Sequence, residues 1–300
     1  MAISVERAVR CGDKLGESAF WDARRGKLWW VNIPPASFLQ WLDPVTGETQ
    51  SFAMPEMVTC VRASRDGETL IAACHSGLAR INAATGELTR LFDPEPHRPF
   101  NRGNDGATDP RGRFWFGTMQ NNVAPDGSDY ALIHKSGTLY RLDADLSATP
   151  FETGIGVPNS TAFSPDGRTM YFCDTTTGVI WAYDYDLEAG IPSAKREYAT
   201  FSRGFPDGAT VDSDGGLWSA RWDGGCVVRF APDGKVDQVV ELPTPKITSC
   251  AFGGPDLDLL FVTTSRNGMS AEEVAAHPEA GDLFVCRPGV RGVAAAEFAG

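Results

Sequence analysis

The sequence predicts an all-β fold, a six-bladed β-propeller of four-stranded antiparallel blades around a central channel. Three observations carry that expectation. A turn followed by an aromatic or apolar strand recurs six times: "FWDARRGKLWWVNI" (20–33), "VRASRDGETLIAACH" (61–75), "ATDPRGRFWFGTM" (107–119), "AFSPDGRTMYFCDT" (162–175), "TVDSDGGLWSARW" (210–222) and "AFGGPDLDLLFVTTS" (251–265). The turn positions Gly26, Gly67, Gly112, Gly167, Gly215 and Leu257 are spaced by 41, 45, 55, 48 and 42 residues, the period of a propeller blade. Each copy is followed by a second hairpin-like segment, from "LQWLDPVTGETQSF" in the first to "GDLFVCRPGVRGVAAAEF" in the last, so each unit supplies four short strands.

Within a unit the turn chemistry is explicit. Pro165-Asp166-Gly167 separates the apolar runs "TAF" and "TMYF", the composition of a tight hairpin. "DSDGG" (212–216) is read as the same turn, since it lacks the acidic residue that closes an EF-hand loop. Trp29, Trp30, Trp115 and Trp218 occupy repeat positions and read as core. Helical patterning is confined to "MSAEEVAAHPEA" (269–280). One blade cannot bury both of its sheet faces, so the core exists only if the ring closes. Six units occupy the chain, and residues 1–300 are expected to form a single propeller domain.

Composition excludes several classes of function. A net charge of −12 disfavours nucleic acid, whose phosphates require a basic surface. No segment approaches the roughly 20 consecutive apolar residues of a membrane span, and the start, "MAISVERAVRCGDKLGES", has no signal-peptide pattern. A cytoplasmic protein is the expectation. The seven cysteines are odd in number, widely spaced and without a C-x-x-C, and read as small buried hydrophobes rather than disulfides or metal ligands. There is no G-x-S-x-G elbow and no H-E-x-x-H, and the four histidines stand apart from any cysteine pair.

The repeat also works as a ruler. Asn159 lies eight residues before Gly167, and the same offset selects Asp207, Asn104, Thr59 and Ser249. The first turn, "DARRG", is one residue longer, and nine residues before Gly26 stands Glu17. All six positions carry a side-chain oxygen and precede a largely apolar stretch. Polar residues are common where a loop becomes a strand. Six of six, with two carboxylates, suits a hard cation held at one height in the channel, the other reading being a solvated channel mouth.

At these residues the sequence resembles the sugar lactonase family, the group of gluconolactonase and regucalcin. The resemblance runs from "LGESAFWD" through "NRGNDGATDPRGRFWFGTM", "VPNSTAFSPDGRTMYFCDT" and "FPDGATVDSDGGLWSARWDGG" to "FGGPDLDLLFVTTS". It implies one divalent ion held by Glu17, Asn159 and Asp207, and a substrate facing Arg102 and Asn104. Two positions depart from the family pattern: Ser160 stands where glycine usually follows the ligand asparagine, and "QNNVAPDG" replaces a stretch that in some members carries a sugar-binding glutamate. Gln120, Asn121 or Asn122 is therefore expected to meet a polyol. His134, in the loop between "GTM" and "GTLYRL", is read as solvent-exposed.

The expected activity is metal-dependent opening of an aldonic-acid lactone in a sugar-oxidation pathway. The ion polarises the carbonyl, Asp207 is the candidate general base, and metal-hydroxide attack is its rival. Oxygen and amide ligands suit calcium, manganese, magnesium or ferrous iron, and zinc also fits. The alternatives are an ester or organophosphate hydrolase on the same site, and a non-catalytic calcium-binding propeller. Nothing in a propeller compels oligomerisation, and a monomer acting on a small sugar lactone is the expectation.

Overall fold

A computed structural model of the chain describes residues 3–34, 36–124 and 126–300. It contains six four-stranded antiparallel sheets arranged as the blades of a propeller. The innermost strands are, in order, Gly16–Asp22, Val58–Ala63, Asn101–Thr108, Pro158–Phe163, Phe205–Val211 and Ile247–Gly253. In the first five blades the chain then moves outward strand by strand.

Every turn the ruler used adopts the same backbone conformation. Gly26, Gly67, Gly112, Gly167 and Gly215 have φ between 63° and 93°, and Leu257, the sole non-glycine among them, has φ 54°. The left-handed region costs an ordinary residue roughly 1–2 kcal/mol. Leu257 accepts that cost while packing against the apolar cluster between the sixth and first blades.

The core is six clusters, one in each gap between neighbouring blades. Period-two alternation feeds both sides of a blade: Trp29 enters the cluster shared with the second blade, and Trp30 the one shared with the sixth. Trp29, Trp30, Trp115 and Trp218 are all buried. The seven cysteines are unpaired, six of them buried. The one α-helix among the described residues, Ala271–Ala276, starts at a capping box between Ser270 and Glu273.

The sixth blade departs from the expected pattern. "GDLFVCRPGVRGVAAAEF" supplies only one strand, Leu283–Cys286, and the blade is completed by Val5–Val9 from the other end of the chain, with Val5 opposite Cys286 and Val9 opposite Leu283. Pro288 has no N–H for a further ladder. Pairing the two ends locks the ring, because opening it then requires breaking a sheet as well as an apolar gap.

The residues beyond Cys286 form a strap instead. Arg291 accepts from Ser213 N–H at 2.8 Å and Gly292 N–H donates to Leu257 at 2.8 Å, both at turns of the fifth and sixth blades. Phe298 N–H donates to Ala63 at 2.7 Å and Ala299 N–H to Gly112 at 2.9 Å, on the second and third blades opposite. Residues 293–296 between these anchors line a cavity of about 210 Å³ with Arg62, Thr161 and Thr210. The strap thus floors the channel at the turn end, and the loops entering the inner strands border its other end. No helix of the described residues is long and apolar enough to cross a membrane.

Candidate metal centre

All six inner strands break register at the height the ruler selects: between Glu17 and Phe20, Val58 and Cys60, Gly103 and Gly106, Asn159 and Ala162, Pro206 and Ala209, and Ile247 and Ser249. Such bulges bend a strand and re-aim its side chains. Ser18 and Ser160, directly after Glu17 and Asn159, both have φ 55°, which is why glycine suits this position in the family pattern. Each serine uses its hydroxyl across a blade boundary. Ser18 Oγ accepts from Val61 N–H at 3.0 Å and from Arg62 Nη1 at 2.9 Å, and Ser160 Oγ donates to the carbonyl of Asp207. The glycine of "PDG" answers to crowding, since a Cβ on Gly208 would stand 2.6 Å from Ser249 Oγ.

A hydrogen-bonded chain joins four of the expected site residues. Arg102 Nη2 donates to Asn122 Oδ1 and its Nη1 to Asn104 Oδ1, both at 2.8 Å. Asn104 Nδ2 donates to Asn159 Oδ1 at 3.0 Å and to the Pro158 carbonyl at 2.9 Å. Arg102 is 4% exposed, and burial pushes its guanidinium down to about 10 although Glu17 opposes the shift.

The electrostatics brings in a residue that the ruler missed. Burial raises the carboxyl of Glu17, and the charge of Asp105 raises it further. Asp207 is raised well above its ordinary value by burial, then by Glu17 and Asp105. Asp105 is itself raised by burial and relieved by Arg62. Glu17 and Asp207 resist ionisation through burial and neighbouring carboxylates, and Asp105 through burial alone, a charge environment that a bound cation would relieve. The ruler admits one residue per blade, so it stopped at Asn104 of "RGND". The adjacent carboxylate in the same motif was the available signal.

The residues present fit a hard divalent ion. Among the described residues no group of three or more His, Cys, Asp and Glu is placed to hold a metal, so a site here needs amide oxygen as well as carboxylate. Glu17, Asp207 and the carbonyl oxygen of Asn159 provide that mixture, which suits calcium, magnesium or manganese better than a thiophilic ion.

Other expected residues are placed differently. Thr59 donates its hydroxyl to Ala73 of its own blade at 3.1 Å, and Ser249 is buried against Gly208. Gln120 binds its own loop: Nε2 donates to Ala131 at 2.9 Å, and Oε1 accepts from Ile133 and His134 N–H at 3.0 and 2.8 Å. Asn121 closes on Val123, and His134 is exposed. Asn122 alone of the three polar candidates meets Arg102. The loop also reaches the sixth and first blades, where Asp129 accepts from Asn267 Nδ2 at 2.9 Å and Gly127 from Lys14. Gln120→Ala is expected to speed proteolytic cleavage within 121–136 several-fold and to move the thermal midpoint by less than about 2 °C, because the bonds lost are exposed and local. Limited proteolysis beside a melting curve checks both.

Residues 15–266 match the model of the SMP-30/gluconolactonase/LRE-like region. The chain belongs to this family. Within it, a 6-deoxy-6-sulfogluconolactonase of Pseudomonas putida is 39% identical over 294 residues, 97% of each chain. A pentonolactonase of Haloferax volcanii is 37% identical over 88% of this chain and 86% of its own. Among solved structures, a calcium-binding regucalcin of Agrobacterium tumefaciens superposes with a TM-score of 0.91 at 30% identity, covering 99% of this chain and 98% of its own. This member of the SMP-30/gluconolactonase family is a lactonase.

Proposed function

We propose that the chain is a divalent-metal-dependent sugar lactonase, opening the lactone of an aldonic acid to the free acid in the cytoplasm. The observation that supports the metal requirement is the pair of desolvated carboxyl groups of Glu17 and Asp207, each raised further by Asp105, with a hydrogen-bonded Asn159 on the inner strand next to that of Asp207. The sugar follows from the relatives, whose names specify a sulfogluconolactone and a pentonolactone. The unpaired cysteines suit a reducing compartment.

Glu17, Asn159 and Asp207 would hold the ion, which when bound would supply Lewis acidity toward the lactone carbonyl. Asp207 takes the proton released as water adds to the carbonyl and returns it to the ring oxygen as the C–O bond breaks. Beside the cation its carboxyl would be ionised and so able to accept. Arg102, with N–H groups beyond those given to Asn104, Asn122 and Gly103, orients the lactone oxygens together with Asn122. The strap closes the far end of the channel, so substrate enters on the loop face, as a monomer would allow.

Proton release on pentono-, hexono- and sulfohexonolactones, measured with metal-stripped protein before and after adding divalent ions, tests the proposal. Metal-restored turnover on at least one lactone, above the uncatalysed rate, is expected. Equal turnover without metal rejects the metal role. Turnover confined to simple esters or organophosphates rejects the sugar.

A further inference from the structure

We propose that Thr175 is a positioning residue of the metal centre, fixing which end of the Asn159 amide faces the ion and tying that amide to the strand carrying Asp207. The inference rests on the metal-site reading above and concerns a residue outside the offset positions.

It follows from the direction of a single hydrogen-bonded chain. Arg102 Nη1 donates to Asn104 Oδ1 at 2.8 Å, Asn104 Nδ2 to Asn159 Oδ1 at 3.0 Å, Asn159 Nδ2 to Thr175 Oγ1 at 2.8 Å, and Thr175 Oγ1 to the Pro206 carbonyl at 2.7 Å. A guanidinium only donates and a backbone carbonyl only accepts, so both ends of the chain are fixed and every link between them has one direction. The hydroxyl of Thr175 has one hydrogen, and the Pro206 carbonyl takes it. Toward Asn159 the hydroxyl can therefore only accept, which obliges Asn159 to turn its NH₂ to Thr175 and its carbonyl oxygen the other way. A carbonyl oxygen has two acceptor positions, of which Asn104 takes one.

The chain crosses three blades. Arg102 and Asn104 lie on the third, Asn159 and Thr175 on the fourth, and Pro206 immediately precedes Asp207 on the fifth. One hydroxyl thus holds the NH₂ end of one proposed ligand, whose oxygen end Asn104 holds, and the backbone beside another. Thr175 is itself held by backbone bonds. Its N–H donates to Val157 at 2.9 Å, and it opens a 3₁₀ turn capped by Asp174, whose carboxylate accepts from Gly156 and Val157 N–H at 3.0 Å each. Removing the hydroxyl leaves those anchors in place.

The test is manganese binding by calorimetry, with metal-free melting curves, for wild type, Thr175→Val, Thr175→Ser and Thr175→Ala, the last in case valine prevents folding. Outer partners that orient metal ligands change affinity by about 10–100-fold. A loss of that size in the valine and alanine variants, with serine within about threefold of wild type, is expected. If wild type binds manganese and the valine or alanine variant binds within about threefold of it, with only the melting temperature lowered, Thr175 is structural and the inference fails. A wild type that binds no divalent ion overturns the metal-site reading itself, and the role of Thr175 with it.

Discussion

Asp207→Ala is expected to lower kcat/KM for the preferred lactone by at least about 10³-fold, which is roughly 4 kcal/mol of transition-state stabilisation, while leaving the metal-free protein folded. The loss combines two effects: one anionic ligand of the ion disappears, and so does the proton acceptor. The stability result separates this site from an ordinary buried ion pair. Burial, Glu17 and Asp105 all raise the Asp207 carboxyl, so without metal the group is a liability, and its removal should leave the metal-free melting temperature unchanged or raise it. Metal stabilises the wild type by about 2.7 kcal/mol at a hundredfold excess over Kd, and the variant should lose that increment. Kinetics and paired melts with and without divalent ion check both halves. A variant that melts lower without metal yet keeps the metal increment would show Asp207 to be a structural residue.

Metal-free protein is expected to lose stability as pH rises from about 5 toward 8, and divalent metal should flatten that slope. Glu17 and Asp207 have carboxyl groups raised in the folded state, whereas in the unfolded chain they titrate near about 4. Below that range both states are protonated and the groups contribute no difference. Above it the unfolded chain ionises first and binds fewer protons than the fold, so unfolding becomes easier with each pH increment until the folded groups ionise as well. A bound cation stabilises the ionised carboxylates and removes the difference. Metal binding should therefore release protons and tighten as pH rises. Urea unfolding across this range, with and without added manganese, measures the effect. A metal-free stability that rises over the same interval contradicts the raised carboxyl groups.

The propeller was legible because one backbone requirement recurs at a readable interval. Each blade turns between its first two strands through a left-handed residue, and glycine marks five of the six. Leu257 carries no such mark, and the spacing alone placed it. The closing strand was not legible, because Val5–Val9 gains its meaning from Leu283–Cys286 at the far end of the sequence, and its mix of half-buried and exposed residues carries no strong period. The site divides in the same way. A fixed offset reaches Glu17, Asn159 and Asp207, the proposed ligands, because the register break falls at one height in every inner strand. Asp105, Arg62 and Thr175 make their contacts with neighbours on other blades, and no offset along the chain encodes them. Gln120, read from the sequence as a sugar contact, gives one donor bond to Ala131 and accepts from Ile133 and His134 within its own loop, bonds that the sequence does not display.

Anomalous diffraction from crystals soaked in manganese would locate a cation held by oxygen and amide donors at one height in the channel. One strong peak is expected within about 2.5 Å of oxygens from Glu17, Asn159 and Asp207, lost in Asp207→Ala crystals treated alike. A peak elsewhere, or a channel without one at saturating manganese, would show that these residues hold no metal.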